Sequence, residues 1–137
     1  MAGGPGRFVP VTDNGYPAMM RQLLFIAFGG ACGTVLRFLL QRAFNNSIFP
    51  YGTLLVNIAG GLLIGILWGL LQKTSINSAT YLALATGFCG GFTTFSAFTL
   101  ESMQLLLQQR WVPFLLYTAG SVAAGLLATF TGYKLIH

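Results

Sequence analysis

The sequence predicts an all-α membrane protein with four transmembrane helices, and three observations predict it. Only 7% of the 137 residues are charged while 55% are hydrophobic, whereas a soluble domain carries about 25% charged residues to cover its water-facing surface. No Asp, Glu, Lys or Arg falls between Arg42 and Lys73, between Lys73 and Glu101, or between Arg110 and Lys134. Each interval exceeds the roughly 20 residues that cross the hydrocarbon core as a helix. Lipid offers no partners to an open sheet edge, so each apolar run must close its backbone hydrogen bonds internally.

The elements follow in order. Residues 1–19 are rich in Gly and Pro and lack the apolar centre of a signal peptide. Met20 stands directly before the first apolar run, which fits a natural start. Residues 1–19 are therefore expected to be an extension, disordered or foreign to the natural chain, before a transmembrane domain at 20–137. TM1 is predicted at 21–41, an apolar run interrupted only by Arg37. Asn45, Asn46 and Pro50 punctuate the connection to TM2, predicted at 51–72. Ser75, Asn77 and Ser78 mark the next turn, before TM3 at 79–108. Arg110, Trp111 and Pro113 suit the entry to TM4 at 111–135.

The charges serve topology rather than a nucleic-acid partner. The net charge is +5, yet the seven basic residues are scattered singly along the chain, whereas a phosphate-binding surface clusters them on one face. Four spans put Arg7, Arg21, Lys73 and Lys134 on one side. The other holds Arg42 and Arg110, with Arg37 if it reaches the interface. That near-balance permits insertion in either orientation. Cys32 and Cys89 lie in apolar segments with no partner thiols or nearby His, and read as small packing residues.

Within the apolar runs, polar and small residues recur every fourth position. Thr53, Asn57, Gly61, Gly65 and Gly69 form one such stripe in TM2, and Tyr117, Ser121, Gly125, Thr129 and Tyr133 another in TM4. TM1 offers Gly29, Gly33 and Arg37. Glycines at this spacing let helices approach closely and can be seams alone. Asn57 is different, because an amide inside a lipid-embedded helix needs a partner and tends to mark a pathway.

TM3 carries the run TGFCGGFTTFSAF at 86–98, near the centre of the charge-free stretch 74–100. Three glycines, two adjacent threonines and Ser96 make a poor uninterrupted helix, so TM3 is expected to break mid-membrane. Freed carbonyls at that depth are tolerable where they are buried in protein, line water or hold an ion. Phe95 and Phe98 follow three residues apart on one side of the resumed helix. Their electropositive ring edges can face an anion.

The run GFCGGFTTFSAF, with GGACGTVLRF before it and YGTLLVNIAGG between them, resembles the Fluc/CrcB family of fluoride channels in motif order and spacing over about residues 20–136. The resemblance implies a dual-topology, antiparallel homodimer in the cell inner membrane. Its two pores would pass fluoride passively and relieve fluoride toxicity. It implies a central Na⁺ held by the main-chain carbonyls of Gly90 and Thr93. It assigns Asn57, Phe95 and Phe98 to the fluoride pathway, Thr53, Tyr117 and Ser121 to a polar track, and Arg37 to a charged region near the entrance. Glu101 follows the motif in the family manner but receives no role. Phe92 and Ala97 stand where the family often has Leu and Thr, and neither change removes a carbonyl.

Two other functions fit the sequence less well. Small multidrug exporters are also four-helix dual-topology dimers, but they depend on a glutamate in TM1, where this chain has only Arg37. A non-transporting accessory protein would use the stripes as seams but leaves the centre of TM3 unexplained. An enzyme has least support: the sequence offers no nucleophile–base pairing, no metal-ligand cluster, and a single His at position 137.

Overall fold

The computed structural model describes residues 16–46 and 48–137. The expected extension 1–19 lies outside the described residues as far as position 15, and the first helix begins at Tyr16. Among the described residues, four helical spans are long and apolar enough to cross a membrane. Helix α1 covers Tyr16–Phe44 and α2 covers Tyr51–Gln72. The third span, Ser78–Leu107, is composite: α3 (Ser78–Tyr81), a π-helical segment (Leu82–Cys89), α4 (Gly90–Phe92) and α5 (Phe95–Leu107). Helix α6 covers Trp111–Ile136. Helix α1 continues past residue 41 and places Arg42 in its last turn, where a cation complements the helix dipole.

Large apolar side chains point outward on every span. Phe28 is 72% exposed and Leu126 69%, the arrangement of a protein whose solvent is hydrocarbon. Helix α2 packs against every other element. One buried cluster joins Leu67 of α2 to Ala85 and Cys89 of the π-helical segment. A second joins Phe98 and Leu105 of α5 to Tyr117 of α6.

Two seams bring backbone against backbone. A Cβ built at Gly29 would come within 2.7 Å of the Ala83 carbonyl oxygen, and one at Gly87 within 2.7 Å of that of Ile26. This seam fixes α1 on the first half of the third span. Along the other seam a Cβ at Gly61 would sit 3.0 Å from the Gly125 carbonyl oxygen, while one at Gly65 would overlap the Thr129 carbonyl. Helix α2 is thereby fixed on α6. The glycines of the TM2 stripe face α6 at this seam, as small residues do between membrane helices.

The connections have named caps. After α1, the Asn46 side chain accepts from the amides of Ile48 and Phe49, both at 2.9 Å, and Arg110 Nη2 donates to the Ile48 carbonyl at 2.6 Å. Helix α2 ends with Thr74 N–H bonded to Leu71 O at 3.0 Å and Ser75 N–H to Leu70 O at 2.9 Å. These are the two bonds of a Schellman motif, and they place Thr74 at φ 55°. Helix α5 ends alike: Gln109 at φ 58° bonds Leu106 O, and Arg110 N–H bonds Leu105 O. Lys73 Nζ donates to the Ile136 carbonyl and ties the ends of α2 and α6.

Candidate ion pathway

Between α4 and α5, Thr93 (φ −86°, ψ 159°) and Thr94 (φ −150°, ψ 119°) are extended. Three side chains hold them so. Asn57 of α2 clips the Thr94 backbone from both sides, its Oδ1 accepting from Thr94 N–H at 2.8 Å and its Nδ2 donating to Thr94 O at 3.1 Å. Thr94 Oγ1 caps α5 by accepting from Ala97 N–H at 3.1 Å. The Thr93 hydroxyl donates back to Cys89 O at 2.9 Å. The bonds from the Thr94 and Ala97 amides stand in for ones a continuous helix would make, while the Thr93 hydroxyl adds to the bond that its own N–H makes to Cys89 O at 2.9 Å.

The two diversions matter for the carbonyls expected to hold Na⁺. In an uninterrupted α-helix the Thr94 amide would bond Gly90 O, and the Ala97 amide would bond Thr93 O. Here the first goes to Asn57 and the second to the Thr94 side chain. Gly90 is exposed, and a Cβ built on it meets nothing within 4 Å. A pair of carbonyls relieved of their helical donors, one on an open face, suits a hard cation that takes oxygen ligands. Among the described residues no group of three or more His, Cys, Asp or Glu could hold a metal.

Beside this interruption lies a cavity of about 240 Å³ lined by Asn57, Thr93, Thr94, Phe95, Phe98, Ser121 and Val122. The Phe95 and Phe98 ring centroids are 5.8 Å apart with planes tilted by 43°. Their settings differ. Phe98 is buried against Tyr117, whereas Phe95 is 77% exposed. The Ser121 hydroxyl is buried without a hydrogen-bond partner, so its donor remains available in a setting where unsatisfied polar groups are rare. Asn57 uses one Nδ2 proton on Thr94 and retains a second.

Thr53 and Tyr117 go elsewhere, to the carboxylate of Glu101. Thr53 Oγ1 donates to Glu101 Oε1 at 2.7 Å, Asn45 Nδ2 donates to the same oxygen at 2.9 Å, and Tyr117 O–H donates to Oε2 at 2.6 Å. Gln41 Nε2 donates in turn to Thr53 Oγ1 at 2.8 Å. Thr53 and Tyr117 are fully buried. Glu101 and Asn45 also line a second cavity of about 340 Å³ with Asn46, Phe49, Pro50, Gln104 and Gln108. The rings of Phe98 and Tyr117, with centroids 5.3 Å apart and planes tilted by 54°, connect the residues of one cavity to those of the other.

The structure thus gathers Asn57, Phe95, Phe98 and Ser121 at one cavity and Thr53 and Tyr117 at the carboxylate. Arg37 lines neither. It is half-buried on α1, with its Nε buried and without a hydrogen-bond partner. Sequence reasoning left Glu101 without a role and did not single out Gln41. The available signal was chemical: Glu101 is the only carboxylate within the four spans, and such a group requires donors there.

Comparison with known proteins gives concordant matches. Residues 24–133 match the family model described as CrcB-like protein, Camphor Resistance (CrcB). The chain is 44% identical over 117 residues to a fluoride-specific ion channel FluC of Flavobacterium psychrophilum, covering 82% of this chain and 94% of that protein. It is 44% identical over 114 residues to fluoride-specific ion channel FluC 2 of Rhodococcus jostii, covering 82% and 96%. The match to a fluoride-specific ion channel FluC of Phocaeicola vulgatus is also 44%, over 116 residues, with 82% and 96% covered.

Proposed function

We propose that this chain, which belongs to the CrcB-like family, forms a fluoride-selective channel that passively exports fluoride across the cell inner membrane and relieves fluoride toxicity. The observation that carries the reading is the cavity beside Thr93 and Thr94, where an unpartnered hydroxyl, a free amide proton and two phenyl rings meet. Fluoride is small and strongly hydrated, so a narrow path must replace part of its water shell with donors. Ser121 O–H and the second Asn57 Nδ2–H supply donors. The rims of Phe95 and Phe98 present positive edges without a buried full charge. The names of the relatives supply the ion.

The working form in this reading is an antiparallel, dual-topology homodimer with two pores. The near-even distribution of basic residues permits both orientations. The 77% exposure of Phe95 and the open space about Gly90 leave faces on which a second copy fits. The extended residues Thr93 and Thr94 would then lie mid-membrane, and Na⁺ on the two-fold axis would bind the Gly90 and Thr93 carbonyls of both copies. Bound there, the ion satisfies carbonyls and adds positive potential near the anion path. Thr53, Tyr117 and Glu101 form the polar track beyond Phe98, and Arg37 contributes charge toward an entrance.

The test is fluoride efflux from liposomes holding the purified protein, with chloride and a cationic-drug gradient run in parallel. Rapid fluoride release with negligible chloride release is expected. Drug movement coupled to protons, with no fluoride release, would turn the reading to a multidrug exporter. Silence in all three assays from folded protein would leave an accessory role.

A further inference from the structure

Gly60 of α2 lies one turn after Asn57 and is buried. A Cβ built there would overlap the Cγ2 methyl of Thr93 and come within 3.5 Å of Phe92 Cδ1. Thr93 cannot turn its methyl aside without loss, because its Oγ1 is engaged with Cys89 O at 2.9 Å and a β-branched side chain has few rotamers. Nor can the segment back away freely, since Asn57 holds the Thr94 backbone by two hydrogen bonds. From this geometry we infer that Gly60 is a positioning residue: the notch left by its missing side chain receives the Thr93 methyl and sets the orientation of the Thr93 peptide.

Helix α2 therefore templates the interruption with two adjacent devices, a clip at Asn57 for residue 94 and a notch at Gly60 for residue 93. The glycine differs in purpose from Gly61 and Gly65, whose built Cβ atoms meet α6. Those glycines let two helices touch. Gly60 instead accommodates the methyl that fixes where the Thr93 carbonyl points. The consequence for transport rests on the fluoride-channel reading above, while the contact itself does not.

The contact makes a specific demand on a pair of substitutions. Gly60→Ala crowds the methyl, and Thr93→Ser removes that methyl while keeping the hydroxyl for Cys89. The experiment measures thermal unfolding in detergent and fluoride efflux against Na⁺ concentration for Gly60→Ala, Thr93→Ser and the double variant. Gly60→Ala is expected to unfold at lower temperature and to lose roughly tenfold or more of its efflux, or to need that much more Na⁺, as overpacking a filled contact does. The double variant is expected to return to the values of Thr93→Ser in both measurements. Gly65→Ala, which meets the Thr129 carbonyl instead, should gain nothing from Thr93→Ser. If Gly60→Ala cannot be purified folded, recovery of folding in the double variant supports the notch. A double variant no better than Gly60→Ala, or a Gly60→Ala protein unchanged in both measurements, overturns it. Should the unmutated protein release no fluoride, the channel reading fails, and the unfolding temperatures alone still decide the notch.

Discussion

Asn57 shows how one side chain can serve two ends. Its Oδ1 and one Nδ2 proton are committed to Thr94, and only the remaining proton is left for an anion in the proposed pathway. Asn57→Asp therefore does more than add a negative charge. It removes the donor to Thr94 O and sets an oxygen against that carbonyl, a loss worth ~1–3 kcal/mol where a buried acceptor goes unsatisfied. We expect Asn57→Asp both to unfold at lower temperature and to block fluoride; a variant that blocks fluoride with an unchanged melting curve would assign the effect to charge alone. Phe98→Ile should reduce efflux by roughly tenfold or more while leaving the proposed dimer assembled, a barrier change of ~1.4 kcal/mol. Wild-type flux in that variant would remove Phe98 from the path. Thr93→Ala should retain Na⁺, since the proposed ligand is its carbonyl, and calorimetric titration of the variant with Na⁺ checks this. The sequence pointed to Asn57 as an amide needing a partner, but it gave no sign that the partner is backbone. Phe95 and Phe98, spaced alike, could not be told apart until burial placed one against Tyr117 and left the other open.

At the scale of the elements, the four spans were legible because lipid imposes a crude rule: no charge for about 20 residues. Finer features obeyed rules that hydropathy does not carry. The π-helical turns of Leu82–Cys89 accommodate a close approach to α1, and their bonding pattern has no compositional signature. The ends of α2 and α5 are similarly cryptic. Left-handed C′ positions usually belong to glycine, yet Thr74 and Gln109 occupy them here. Thr74 is the costlier case, being β-branched at positive φ. Thr74→Gly should raise the melting temperature, with a gain of about 0.5–1 kcal/mol after the glycine's own entropy cost. A lower melting temperature would mean that the Thr74 side chain contributes more than its backbone strain costs.

For the whole molecule, the outward display of apolar residues and the clustering of polar groups along α2, α5 and α6 invert a soluble fold. The Glu101 carboxylate gathers donors from Asn45 in the α1–α2 connection, Thr53 on α2 and Tyr117 on α6, so it joins three parts of the chain. Glu101→Gln keeps the shape but presents an amide to groups that all donate. It should lower the melting temperature, and an unchanged value would mean that the network rearranges without loss. The charge-poor sequence made Glu101 conspicuous without revealing its partners, since Asn45 is 56 positions away from it in the chain.

The two glycine seams bear finally on how an ion could cross. Carriers that present a site first to one side and then to the other must slide or rock helix bundles past each other, and side-chain layers act as the bearing. Here α1 meets the third span, and α2 meets α6, with backbone directly on backbone. Such interfaces have no intervening layer to shear, and moving one helix along its neighbour would drive Cα atoms into carbonyls. The architecture favours a stationary conduit whose walls are set at assembly. Cross-linking the adjoining ends of α2 and α6, already tied by Lys73 and the Ile136 carbonyl, should accordingly leave fluoride conduction intact, whereas a carrier so stapled would stall.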